Sequence, residues 1–320
     1  MLLNTLQRKY SRSVVQLYHT VQSFSTTTSQ STYKATCGTP IPLAHDKTRF
    51  GVKGGGNDSI QSCIVAHCLL GNRSMWNKRF TTQLDHLLTN LNIKLDIYFI
   101  DLRNHGETQH TDTHTYTDMS NDIKLFIQRY QLKRPFLCGF SMGGKACMTT
   151  ILKYMTLQTC AGLISLDCSP AQYTHTHQRF FSAAHSIDTN KLNSINEADK
   201  LLVRYLPRID ERQFLLTNLR KSSDSNKLEW LINLDVLQQY ESHIHSFDCS
   251  TELQWNGPAL FIGGTDSSRL TLHEYKKMIP IYFPNAQIEM IQSGHFVHQE
   301  QPYTTAALIA QFIAKNSPNR

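Results

Sequence analysis

The chain has 320 residues, of which 40% are hydrophobic and 18% charged, with a formal net charge of +7. That length suits one large α/β domain, or such a domain with an inserted lid, and no stretch approaches the roughly 18 apolar residues of a membrane span. Residues 1–34 carry Arg8, Lys9, Arg12 and Lys34 and no acid, which leaves only +3 for residues 35–320 and argues against nucleic acid as a partner.

Within that basic leader, Leu3, Leu6, Tyr10, Val14, Leu17 and Val21 share one helical face, with Arg8, Lys9 and Arg12 opposite. A Ser/Thr-rich tract follows over 23–31. This pattern describes a mitochondrial transit peptide and not a secretory signal, whose apolar region would be continuous. Residues 1–34 are therefore set apart from the fold, and mitochondrial localisation is expected. The eight cysteines (37, 63, 68, 138, 147, 160, 168 and 249) contain no C-x-x-C pair, and several lie in apolar runs. They read as free thiols of a reducing compartment.

The body, 35–320, alternates strands with helices. Lys53-Gly-Gly-Gly-Asn57 reads as a loop between early edge strands, with no Gly-Lys-Ser/Thr to make it a phosphate site. Ser62–Ala66 is a short strand that runs into the turn His67-Cys-Leu-Leu-Gly71 and a helix to about Leu91. Leu95–Ile100 is a second strand, ending at Asp101-Leu-Arg-Asn-His-Gly106. A helix over about 119–130 precedes the strand Phe136–Phe140, a helix runs to about Met155, and Gly162–Asp167 is the next strand. The order implies a mostly parallel sheet with helices on both faces. Residues 170–250 break the rhythm: they are polar and lack strand-like runs, with short amphipathic helices expected over 201–206 and 228–237. They read as an inserted helical lid. The sheet resumes at Ala259–Ile262 and Gln287–Ile291, with helices over about 270–279 and 302–314.

Gly139-x-Ser141-x-Gly143 falls at the turn between a strand and a helix. It is the nucleophile-elbow pattern, in which the serine occupies a strained turn and flanking side chains would clash. The helix start then faces a developing oxyanion. A serine nucleophile needs a base, and the base an orienting acid. Fifteen histidines are present, but His295 alone follows the final strand in a Gly-His turn ahead of the closing helix. His298 reads as a polar residue opening that helix. Two acids end strands, Asp167 after the nucleophile helix and Asp266 at the penultimate strand, and the residues themselves do not separate them. The oxyanion donors are expected at the N–H groups of Met142 and Leu69. Arg103, Asn104 and His105 read as a hydrogen-bonded structural turn. His110-x-Asp112-x-His114 has no further ligand nearby, and His175-x-His177 reads as a solvated mouth of the lid. No metal site and no bound cofactor are expected.

Five motifs carry a resemblance: His67-Cys-Leu-Leu-Gly71, Asp101-Leu-Arg-Asn-His-Gly106, Ser141-Met-Gly-Gly-Lys-Ala146, Leu166-Asp-Cys-Ser-Pro170 and Gly294-His-Phe-Val-His298. Together they span about 60–300, and the chain resembles the mitochondrial α/β-hydrolases that include the yeast ethanol acetyltransferases and related bacterial esterases. The resemblance implies the α/β-hydrolase fold and a triad of Ser141, Asp167 and His295, with the acid in the Asp-x-x-Pro turn. It also implies acetyl-CoA as a substrate, ethanol as the acetyl acceptor, and ester and thioester hydrolysis as side activities. Two positions depart from the pattern. Cys68 stands where the family has glycine, which leaves the oxyanion loop's conformation open. Phe140 stands where histidine is usual. Three functions are thus in play: an alcohol acetyltransferase, a plain ester or thioester hydrolase, and a silent binding scaffold.

Overall fold

The computed structural model describes residues 38–51, 60–174, 176–223, 227–267 and 272–317. The leader, the Gly54–Gly56 loop and His175 lie outside them. A seven-stranded sheet forms the centre. It is built from β1 (His45–Phe50), β2 (Gln61–Ala66), β3 (Leu95–Ile100), β4 (Phe136–Phe140), β5 (Gly162–Leu166), β8 (Ala259–Gly264) and β9 (Gln287–Ile291). Their order across the sheet is β1-β3-β2-β4-β5-β8-β9. β1 is an antiparallel edge on β3, and every other pairing is parallel.

β3, β4, β5 and β8 are buried along their whole length, which is why they read as continuous apolar runs. Their side chains alternate between two cores. Ile64, Ala66, Leu137 and Phe261 face α2 (Tyr116–Arg129), α3 (Met142–Tyr154) and the inserted segment. Cys63, Val65, Cys138 and Ile262 face α1 (Lys78–Asn90) and the C-terminal α11 (Pro302–Asn316). α1 shows a simple stripe of Phe80, Leu84 and Leu88 and is capped by Asn77, whose side chain accepts the Phe80 N–H. α3 is different: it is buried from Met142 through Leu152, because the sheet lies on one side and inserted helices on the other.

α2 begins at Tyr116, three residues earlier than its apolar spacing suggests. Thr115 and Asp118 form a reciprocal capping box that starts it. Between β5 and β8 lie α4 (Gln178–His185), α5 (Ile195–Leu202), α6 (Ile209–Leu216), β6 (Leu219–Lys221), β7 (Leu228–Trp230), α7 (Leu234–Gln239) and α8 (Glu241–His245). The expected helix over 201–206 is displaced to α5, because Ser194 accepts the Glu197 N–H and starts the helix early. The expected helix over 228–237 is replaced by β7 and α7, and β6 and β7 pair as an antiparallel ribbon. Phe181, Leu202, Leu215 and Leu237 from this insertion are fully buried in the α2–α3 core, so it is packed into the domain.

α9 (Leu272–Tyr282) connects β8 to β9, and α10 (Val297–Glu300) precedes α11. No helix among the described residues is long and apolar enough to cross a membrane. No disulfide joins the seven described cysteines, and all are buried.

Candidate active site

Ser141 links β4 to α3 with φ 52° and ψ −117°, a conformation that a residue bearing Cβ adopts only under constraint. The constraint comes from both sides. The Ser141 N–H donates to Leu166 O on β5 at 3.0 Å. A Cβ on Gly139 would lie 2.2 Å from Gly143 O, and one on Gly143 would lie 2.5 Å from Ala66 O. The elbow is therefore wedged against the end of β2, with room only for glycine on either side of Ser141. Ser141 itself stays partly exposed while α3 behind it is buried.

Asp167 follows β5 with φ 43° and is 1% exposed. Its Oδ1 accepts the Gly264 N–H at 2.9 Å. Its Oδ2 accepts the Ser267 hydroxyl at 2.6 Å and the Nδ1 hydrogen of His295 at 2.5 Å. Asp266 is exposed; its carboxylate accepts the Thr265 hydroxyl, and its own N–H is held by Ser293 O. Between the two acids left open by spacing, the structure pairs His295 with Asp167. The His295 ring also packs on Phe140, with centroids 4.7 Å apart, which brings the imidazole beside the residue that precedes Ser141. The phenyl group that departs from the family pattern thus forms the bed of the histidine.

The loop after β2 supplies the other wall. Leu102 donates its N–H to His67 Nε2 at 3.0 Å, so His67 carries its hydrogen on Nδ1 and donates it to Cys68 O at 2.8 Å. His105 repeats the arrangement: its Nε2 accepts the Leu70 N–H at 3.1 Å, and its Nδ1 donates to Arg103 O at 2.9 Å. Both rings are buried, with centroids 4.9 Å apart. Burial lowers both below an ordinary histidine, His105 well below it. Cys68 does not occupy the left-handed region; Leu70 does, at φ 58°. The Cβ at Cys68 is thereby accommodated. With Leu70 N–H consumed by His105, the Leu69 N–H has no acceptor among the described residues. The Met142 N–H, at the first turn of α3, is likewise a helix-start donor with no i−4 carbonyl.

Arg103, Asn104 and His105 form the hydrogen-bonded turn expected of them. Arg103 is fully buried and bidentate to Asp122, and Asn104 accepts the Thr111 N–H and, through its carbonyl, the Asn233 N–H of the insertion. His110 is exposed, whereas His114 is buried against Met142 Sδ. His298 departs from expectation. It is fully buried between Trp76 and Phe140, and neither ring nitrogen has a hydrogen-bond partner among the described residues. Burial pushes it down to about 3.

Two participants were invisible in the sequence. Ser267 gains its place only through the turn after β8. Lys145 of the Ser-Met-Gly-Gly-Lys run is fully buried, and its Nζ donates to His245 O at 3.0 Å and Ser246 O at 2.8 Å. It also lies 3.7 Å from the centroid of the Tyr173 ring. It fastens the last inserted helix to the nucleophile helix, and burial lowers it to about 8.

The profile of the Alpha/beta hydrolase family matches residues 63–308. The chain is 32% identical over 301 residues to a probable alcohol acetyltransferase of Saccharomyces cerevisiae, covering 87% of this chain and 84% of that one. It is 29% identical over 282 residues to the sn-1-specific diacylglycerol lipase ABHD11 of Danio rerio, covering 86% and 83%. Among solved structures, a marine microorganism esterase superposes with a TM-score of 0.74 at 27% identity, covering 85% of this chain and 99% of that one.

Proposed function

The chain belongs to the alpha/beta hydrolase family, and from that premise we propose that it is a serine-dependent acyltransferase that moves acetyl from acetyl-CoA to ethanol, with esterase and thioesterase side activities. The observation that carries the reading is the Asp167–His295 pair, whose imidazole packs on Phe140, the residue before the strained Ser141, together with a Leu69 N–H that no described residue accepts. Alcohol as acceptor rests on the similarity to the yeast alcohol acetyltransferase and on the five shared motifs.

In this mechanism Asp167 holds Nδ1–H, which makes His295 Nε2 the base. Nε2 takes the Ser141 proton as Oγ adds to the thioester carbonyl. The Leu69 and Met142 N–H groups stabilise the tetrahedral oxyanion. Collapse breaks the C–S bond, the imidazolium returns its proton to the thiolate, and acetyl-Ser141 remains. Ethanol then gives its proton to Nε2 and attacks the acetyl carbon. Ethyl acetate departs and Ser141 regains its hydrogen. Water competes for the same acetyl-enzyme, so the yield of ester depends on how far the packed insertion excludes it.

The lipase and esterase relatives favour a second reading, ester or thioester hydrolysis with water as the sole acceptor. A silent scaffold is the third; a fluorophosphonate that labels wild type but not Ser141→Ala counts against it. Turnover of acetyl-CoA with and without ethanol separates the first two: ethyl acetate supports transfer, and ester cleavage without it leaves the hydrolase. The acid-free basic leader of residues 1–34 adds a proposed mitochondrial location. Deleting it should leave activity intact and move the protein to the cytosol; a truncated protein that still reaches mitochondria would refute that address.

A further inference from the structure

The two ends of the insertion lie side by side, the Tyr173 N–H donating to His245 O at 2.8 Å, and three metal-ligating side chains meet there. His177 is the residue just before α4, at the start of the insertion. Glu241 and His245 lie four apart on α8, at its end, and so share one helix face. His177 Nδ1 and His245 Nε2 are 3.2 Å apart, His177 Nδ1 and Glu241 Oε1 3.5 Å, and His245 Nε2 and Glu241 Oε1 3.7 Å. All three side chains are about 15% exposed. We propose that His177, Glu241 and His245 form a binding site for a divalent transition metal of the zinc class, which staples the two ends of the insertion together.

Geometry is the first support. Ligands 2.0–2.1 Å from a tetrahedral zinc stand about 3.3 Å from one another, and the three separations straddle that edge length. Donor chemistry is the second: two imidazole nitrogens and one carboxylate oxygen suit zinc and disfavour calcium or magnesium, which take oxygen sets. Three protein ligands leave the fourth position to water. The third support is the frame around the ligands. Glu241 Oε1 is oriented by the His177 N–H and the Thr176 hydroxyl, as outer-shell donors orient metal carboxylates. The His245 carbonyl accepts both Lys145 Nζ and the Tyr173 N–H. A bound ion would therefore brace α4 and α8 directly over the lysine that fastens α8 to the nucleophile helix. The proposal does not depend on which acyl acceptor the enzyme uses.

The test uses the full chain, stripped with a chelator and titrated with zinc chloride alone. One equivalent should bind with micromolar or tighter affinity, and cobalt(II) substitution should give the intense visible bands of a four-coordinate site. His177→Gln and His245→Gln should each weaken binding at least 100-fold and Glu241→Gln at least tenfold, whereas His110→Gln should leave it unchanged. Absence of stoichiometric binding, or binding that survives both histidine substitutions, overturns the proposal. If a substituted chain fails to fold, hydrogen exchange of the wild type decides. Zinc should slow exchange in residues 177–185 and 240–246, and unchanged exchange there overturns the site.

Discussion

Asp167 Oδ2 accepts the Nδ1 hydrogen of His295 at 2.5 Å, although the two residues are 128 positions apart and a second acid, Asp266, ends the adjacent strand. The pairing fixes the imidazole tautomer. Asp167→Asn would present an amide hydrogen to Nδ1 and favour the wrong tautomer, so kcat should fall by about 10⁴. Asp266→Asn should keep kcat within about threefold, since among the described residues its exposed carboxylate makes a local bond to Thr265 and none to His295. Steady-state kinetics on a chromogenic acetyl ester reads both, and the reverse ranking would refute the pairing's role.

Cys68 is the second point of test. It lies outside the left-handed region that would demand glycine, and Leu70 carries that conformation instead. Cys68→Gly should therefore cost about 1–2 kcal/mol of stability, through added chain freedom and the loss of a buried side chain, while kcat changes less than about threefold. A large rise in kcat would mean that the Cβ distorts the oxyanion loop.

Much of this site was legible in the residues, and the parts that were not share a physical cause. Gly139-x-Ser141-x-Gly143 is readable because close backbone approach leaves room for hydrogen alone. The strands at the centre are readable because burial on both faces makes them continuous apolar runs. Choosing between Asp167 and Asp266 needs the rotation of each side chain at its strand end, which spacing does not encode. β6 and β7 are three-residue strands whose pairing comes from each other and not from alternation. His298 reads as polar, yet its ring serves as an aromatic filler between Trp76 and Phe140.

That burial has a consequence in acid. His298 is held down to about 3 against 6.5 for an ordinary histidine, so between those values the unfolded chain binds more protons than the folded one. Its contribution is complete above pH 6.5 and is lost as pH falls, by roughly 1.4 kcal/mol per unit. His298→Phe removes both unpartnered nitrogens. Relative to wild type, the variant should gain about 2 kcal/mol on going from pH 7 to pH 5 in urea unfolding. An unchanged difference between the two pH values would show that His298 is not held neutral.

Lys145 is expected to act through the insertion. Lys145→Met keeps the bulk but leaves the Ser246 carbonyl without the lysine donor and the His245 carbonyl with the Tyr173 N–H in its place, a loss of about 1–3 kcal/mol. Because Lys145 is lowered to about 8 from 10.5, the folded chain binds fewer protons than the unfolded one across that window. The wild type should gain up to about 3 kcal/mol as pH rises from 8 to 10.5. Urea unfolding at pH 7 and 9.5 reads both effects, and the Lys145→Met variant should lack the gain. The loosened insertion should also shift products toward acetate, and an unchanged product ratio would count against the fastening role.

The central claim is that acetyl-Ser141 is resolved by alcohol. The most direct measurement is the ratio of ethyl acetate to acetate formed from acetyl-CoA as ethanol is raised, with Ser141→Ala as the control. Ethyl acetate should rise with ethanol at the expense of acetate, while CoA release stays coupled to the sum and vanishes in Ser141→Ala. Acetate as the sole product at saturating ethanol, or ethyl acetate still formed without Ser141, would contradict it.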